Sequence, residues 1–423
     1  MTNFKPFALF SILTIIIISC ENNDSYLHVP EIDIETEIEN MKIITISQFA
    51  DDIEYLTLET DSRSLIMDYT NYNIGEEEII FINPGMSLVL FDRTGKFVAK
   101  FGDRGKGPGE YLSVMDLSVL GEKVFFRSGK DLYEFSLFGE FIQKYTGILA
   151  PQDKYQLEYI TFVDDSLLFG HIQNNDGQTP IKGMLINKKG SVRKKYDNFD
   201  ILENKGSRIN GGSTQVYTFN NSVHFKEQFN DTLFYIDNDF NLIPKFSFIM
   251  GDLKMPESIR SDFFEYFQKM NNYYAIENIL ETPHYLFLDI NFGNHFPANR
   301  LTPLKGAGPG GADLTTNTTN CLAVYSKETS ELQFCKPTTT DNPFFTSGLY
   351  NDIDAGPRFF PSSQVNDSTF VMLVNPFDLK KHVESEEFKE SRPLYPEKKN
   401  ELKMLADSLD ENDNPVLMFV TLK

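Results

Sequence analysis

The sequence contains no tryptophan, three cysteines and six histidines among its 423 residues. The histidines, His28, His171, His224, His284, His295 and His382, fall at no spacing that would gather them around a metal, so neither a metal site nor a cofactor is read from them. Basic residues are also scarce. Lys and Arg number 39 against 61 Asp and Glu, and a formal charge of −22 repels nucleic acid and anionic headgroups. DNA and RNA are thereby set aside as partners. The one extended apolar stretch, Phe7 to Ile18, is too short to span a bilayer as a helix. Catalytic signatures are missing as well: there is no Gly-x-Ser-x-Gly and no His-Glu-x-x-His, and the carboxylates are too many to nominate a pair.

What the N-terminus does have is an address. Lys5 precedes the apolar stretch, and Ile17-Ile18-Ser19-Cys20 follows it. That tetrapeptide resembles the lipobox of bacterial lipoproteins, which implies a signal peptide over 1–19 and an acyl anchor on Cys20 that holds the protein to outer-membrane lipid, facing the cell surface or the periplasm. An ordinary secretory signal with a chance cysteine is the alternative. From residue 20 to 42 the chain is polar and acidic, a composition expected of a flexible tether.

The 38 phenylalanines and 19 tyrosines supply core material suited to strands. From Ile43 onward, apolar residues alternate in short runs broken by Gly, Asn and Asp turns. The clearest unit is Leu88 to Tyr111, LVLFDRTGKFVAKFGDRGKGPGEY, two strands on a tight turn followed by a glycine-rich exit. Its grammar recurs at roughly 45-residue spacing as units of four strands, which reads as a β-propeller. Unit six, with strands Thr369–Asn375 and Val416–Leu422, is one strand short, and the early strand Asp52–Thr60 has no neighbour to pair with. Pairing these two closes the ring without free edges. The expectation is therefore an all-β, six-bladed propeller over 43–423, closed by an N-terminal strand, with a β-sandwich pair and an open solenoid as the alternatives.

In blades ordered a-b-c-d, the a–b and c–d turns share one face and the b–c and d–a connections share the other. Every long insertion is of the second kind: Gly102–Glu110, Gln173–Gly183, a helical stretch Met255–Met270, Phe292–Asn320, and Pro376–Asn414 with helical spacing over Glu397–Leu409. One face is thus trimmed and the other elaborated, and loops on a rigid scaffold are where binding sits. Arg127, His171 and Lys226 close b strands at the elaborated rim, as ligand contacts or as loop-anchoring ion pairs. In Gly105-Lys106-Gly107-Pro108-Gly109-Glu110 the glycines could present N–H groups to an anion, with Arg104 and Lys106 adding charge, or merely permit a sharp chain return. Asp352 and Asp354 could hold a cation or a sugar hydroxyl, or serve Asx turns. Cys321 and Cys335 end a hairpin, CLAVYSKETSELQFC, whose midpoint at Glu328 would set them opposite one another, as a disulfide or as two buried thiols.

Asp92-Arg93-Thr94-Gly95-Lys96-Phe97 followed by Gly105-Lys106-Gly107-Pro108-Gly109-Glu110-Tyr111 resembles the hallmark of the six-bladed β-propeller lipoproteins of Bacteroidetes, distant kin of NHL-repeat propellers. Leu56-Thr57-Leu58-Glu59-Thr60, Asn351-Asp352-Ile353-Asp354-Ala355-Gly356 and Asn414-Pro415-Val416-Leu417 are similar to the same family, which usually has glycine where this chain has Ala355. The resemblance implies a fold and an address. It is compatible with a binding or scaffold module for a glycan, peptide or partner protein, with a hydrolase or lyase working over the central channel, and with a structural subunit of an envelope complex.

Overall fold

The computed structural model describes residues 29–66, 72–83, 87–151, 155–202, 214–295, 300–304, 314–337 and 347–423. Two N-terminal strands come first, β1 (Glu31–Asp33) and β2 (Ala50–Leu56), and the blades follow in chain order. Blade one is β3 (Tyr72–Ile74), β4 (Glu78–Ile82), β5 (Leu88–Asp92) and β6 (Phe97–Phe101). Blade two is β7 (Met115–Leu120), β8 (Lys123–Ser128), β9 (Asp131–Ser136) and β10 (Phe141–Tyr145). Blade three is β11 (Glu158–Phe162), β12 (Leu167–His171), β13 (Ile181–Asn187) and β14 (Val192–Asp197). Blade four is β15 (Thr214–Phe219), β16 (Ser222–Glu227), β17 (Thr232–Ile236) and β18 (Leu242–Ile249). Blade five is β19 (Ala275–Glu281), β20 (Tyr285–Asn291), β23 (Asn320–Ser326) and β24 (Leu332–Phe334), with the hairpin β21 (Arg300–Leu304) and β22 (Leu314–Thr318) inserted between its middle strands. Blade six is β25 (Ser363–Gln364), β26 (Thr369–Val374) and β27 (Val416–Leu422), completed by β2.

The fold is the all-β, six-bladed propeller expected from the sequence, and the chain ends close it. β2 runs antiparallel to β27 with Glu54 opposite Phe419 and Tyr55 opposite Met418. The closing strand begins two residues earlier than the alternation suggests and ends at Leu56, so Thr57 to Thr60 lie beyond it. Six apolar clusters fill the six junctions between neighbouring blades, including that between blades six and one, where Phe81 and Phe91 meet Leu417 and Phe419. Each blade is therefore covered on both faces. The middle strands accordingly bury consecutive residues, Ile79, Ile80 and Phe81 in β4 and Leu88 to Phe91 in β5, whereas clean alternation survives in an outer strand such as β6.

The longer helices lie in connections that leave the elaborated face. Between blades four and five the single helix read over Met255–Met270 is two short ones, α2 (Glu257–Arg260) and α3 (Phe263–Lys269), the second started by Asp262 accepting from the Phe264 and Glu265 N–H groups at 2.9 Å each. In blade six the excursion between β26 and β27 carries α4 (Pro376–Glu384), α5 (Glu386–Glu390) and α6 (Pro396–Ser408). No helix among the described residues is long and apolar enough to cross a membrane.

The tether expected through residue 42 does not extend that far. β1 adds a fifth, parallel strand to blade four beside β18, and α1 (Ile34–Glu37) follows on the cap Asp33, which accepts from Thr36 N–H at 2.9 Å. Ile32 and Ile34 are buried among residues of blades four and five. Two apolar residues placed at every second position outweigh the acidic neighbours that made the segment read as solvated. Lys42 then bridges Cys335 and Thr45 bridges Tyr350, so the segment straps blades four, five and six before entering β2. Residues 1–28, with the expected signal and Cys20, lie outside the described residues, as do residues 305–313 of the Phe292–Asn320 insertion.

Candidate functional site

The b strands of blades two, three and four end on the elaborated rim, and they carry Arg127, His171 and Lys226 there as expected. The structure turns all three inward. Arg127 is 6% exposed and pairs with Asp116 on the neighbouring strand β7. His171, 2% exposed, meets Glu227 of blade four through Nε2 at 2.9 Å, and Lys182 grips the other oxygen of the same carboxylate. Burial alone would raise the Glu227 carboxyl, but the His171 hydrogen bond and the Lys182 charge outweigh it and hold it down to about 2. Lys226 is the next residue back along β16 and so points to the opposite face of the blade. Burial pulls its ammonium down to about 8, and it donates to the Glu227 carbonyl at 2.8 Å.

Glu227 joins blade four to His171 and Lys182 of blade three, whereas Arg127 pairs with Asp116 inside blade two and Lys226 bonds to its own strand. Asp116, Lys182 and Glu227 were missed, because pairing across strands and blades leaves no fixed spacing to read. A related cluster on the trimmed face was missed for the same reason. Glu281, fully buried at the end of β19, accepts from Lys245 at 2.6 Å, Lys327 at 2.5 Å and the Tyr217 hydroxyl at 2.8 Å.

The glycine-rich return is closed by a contact from within. Glu110 turns its carboxylate back into the loop, where Oε2 accepts from Gly107 N–H at 2.7 Å, so the loop supplies its own anion. Tyr111 anchors the exit, fully buried, its hydroxyl donating to the Phe101 carbonyl at 2.7 Å. Arg104 and Lys106 are exposed on this loop and are not brought together with Arg127, His171 or Lys226.

Asp352 and Asp354 serve the closure. Asp352 accepts from Ser47 N–H at 3.1 Å and Ser47 hydroxyl at 2.5 Å, fixing the strap. Asp354, 1% exposed, accepts from the Asn351 amide at 2.6 Å and Gly356 N–H at 2.7 Å, and burial raises its carboxyl above the usual range. Among the described residues no group of three or more His, Cys, Asp and Glu is placed to hold a metal ion.

The two remaining thiols are free, and the reason is a register. Tyr325 pairs with Leu332 and Ala323 with Phe334, so the hairpin centres between residues 328 and 329 instead of on Glu328. Cys335 therefore sits opposite Leu322, its N–H donating to the Leu322 carbonyl at 2.8 Å. The half-step sends Cys321 into the junction with blade four and Cys335 into the junction with blade six.

Another concave region lies on the trimmed face, at the seam between blades six and one. A groove of about 430 Å³ is lined by Asp52 and Glu54 of β2, Glu76 and Arg93 from turns of blade one, and Asn366, Thr369 and Thr421 of blade six. The Arg93 guanidinium lies 4.4 Å over the Phe419 ring.

Ring closure by strand exchange between the chain ends, with long connections confined to one face, defines the class as a six-bladed β-propeller. Within that class the chain belongs to the DUF4934 family, a domain of unknown function, which matches residues 29–421. Among solved structures it is similar to an exported protein of Bacteroides fragilis, at 15% identity over 93% of this chain and 99% of that one, with a TM-score of 0.65. A DUF4221 family member from Bacteroides vulgatus is similar at 13% identity over 88% and 97%, with a TM-score of 0.52. A search of curated proteins gives no match.

Proposed function

We propose that the protein is a lipid-anchored propeller of the outer membrane, acting as a binding or scaffold module that takes a glycan, peptide or partner protein against its elaborated face. The observation that supports this reading is the one-sidedness of the connections. The long d–a and b–c segments leave the same rim, while the buried pairs Asp116–Arg127 and Glu227 with His171 and Lys182 stiffen the strand ends from which they spring. A rigid rim carrying long loops is the arrangement in which loop sequence sets specificity. On this reading Arg127, His171 and Lys226 position the rim and do not touch the ligand, and Arg104 and Lys106 are exposed charges on one of its loops.

Photo-crosslinking residues placed at Leu112 and Met115, both exposed on the elaborated side, and at Asn238 in a trimmed-face turn test the assignment in intact cells. Adducts from the first two and none from the third are expected; the reverse pattern rejects it. Cys20→Ser should move the protein from the membrane fraction to the soluble one and abolish labelling by radioactive palmitate.

A further inference from the structure

The seam groove combines charges of both signs that do not neutralise one another. Among the described residues no carboxylate lies within ion-pair distance of Arg93, and its Nη1 is buried without a hydrogen-bond acceptor. Phe419 beneath it supplies a face and no acceptor. On the acidic side Asp52 is taken by Lys398. Glu76 receives only the Asn366 amide at 2.9 Å, and Glu54 is exposed with no cation beside it among the described residues. The guanidinium instead stacks on the Phe419 ring.

Such a groove discriminates by charge pattern. A simple anion meets Glu54 and Glu76, and a simple cation meets Arg93, so each pays for one unfavourable end. A ligand carrying a carboxylate and an ammonium satisfies both ends, its carboxylate matching the planar donor fork of arginine. The hydroxyls of Thr369 and Thr421 and the Asn366 amide can complete the hydrogen bonding. We propose that the groove between blades six and one binds a zwitterion of the amino-acid type, a free amino acid or a peptide end, with its carboxylate on Arg93 and its ammonium on Glu54 and Glu76. The excess of acid over base favours a ligand with a second ammonium. This site is on the face opposite the one assigned above and stands independently of it.

Calorimetric titration of the full chain with lysine, lysine amide, succinate and glucose is the test. Lysine should bind, with lysine amide and succinate each weaker by about tenfold or more. Glu54→Gln, at an exposed position, should weaken lysine about fivefold and leave the thermal midpoint unchanged. Arg93→Met should erase the difference between lysine and its amide. Equal affinity for lysine and lysine amide overturns the proposal, as does the absence of heat with lysine at about 10 mM, or binding of glucose in preference to lysine.

Discussion

Ala355 is one of the residues where this chain departs from what its backbone asks. Its φ is +64°, in the left-handed region where a Cβ crowds the following carbonyl at a cost of roughly 1–2 kcal/mol. The turn is held there by Asp354 accepting from Gly356 and by His382, whose Nε2 lies 2.9 Å from the Ala355 carbonyl. Ala355→Gly relieves the crowding and returns part of the gain as unfolded-state entropy, so a net stabilisation of about 1 kcal/mol is expected in urea unfolding. Glu227 offers a second measurement. Its carboxyl stands at about 2 against an ordinary 4.5, so its contribution to stability is complete above pH 4.5 and is lost as the pH falls toward 2. That contribution is about 3 kcal/mol, and Glu227→Gln should flatten the acid limb of the stability profile by that order. Of these two residues, only Ala355 could be singled out from the sequence, since the usual glycine there betrays the turn. Glu227 could not, because its partners His171 and Lys182 lie on another blade.

At the scale of the element, turns and strands were legible and register was not. Gly95 shows why turns read well: at φ +81° between β5 and β6, any side chain there would overlap the Thr57 carbonyl oxygen. Strand order followed from counting such turns. Register depends on half-steps that composition does not encode, and Cys321 and Cys335 record one. Their opposite facings predict that denaturation without reductant, followed by alkylation, labels both thiols, while the folded protein labels neither. A protein that gains both labels only after reduction would overturn the register. β1 was misread for a different reason: three residues in an acidic segment carry little periodicity, and only the neighbouring blade shows that Ile32 and Ile34 have somewhere to go.

At the scale of the whole molecule, four of the stretches that carry the family resemblance, all but the glycine-rich return, converge on the closure. Asn414 donates its side-chain amide to the Glu59 and Ser64 carbonyls at 2.8 and 2.9 Å, accepts from Ile66 N–H at 2.7 Å, and donates its backbone N–H to the Thr60 hydroxyl at 2.9 Å. The turn at Gly95 accepts from Glu59 N–H at 2.7 Å, and Asp352 holds Ser47. Segments more than 300 residues apart thus make a single clasp, which explains why the motifs announced a fold and left the ligand to the loops. Asn414→Ala leaves the buried Ser64 carbonyl and Ile66 N–H unpaired, while the Glu59 carbonyl keeps the Ser64 hydroxyl, and is expected to cost about 2 to 4 kcal/mol by urea unfolding. The midpoint should drop as one transition, since every blade junction depends on the ring staying shut.

The strap decides how the molecule bears load. A pull on the chain upstream of Glu31, directed along the strand axis, first meets the parallel ladder between β1 and β18 in shear, where several bonds resist together. The bridges at Lys42 and Thr45 come next, and β2 feels the force last. Tugging at the N-terminus therefore loads a short latch on the outside of blade four before any force reaches the strand that closes the propeller.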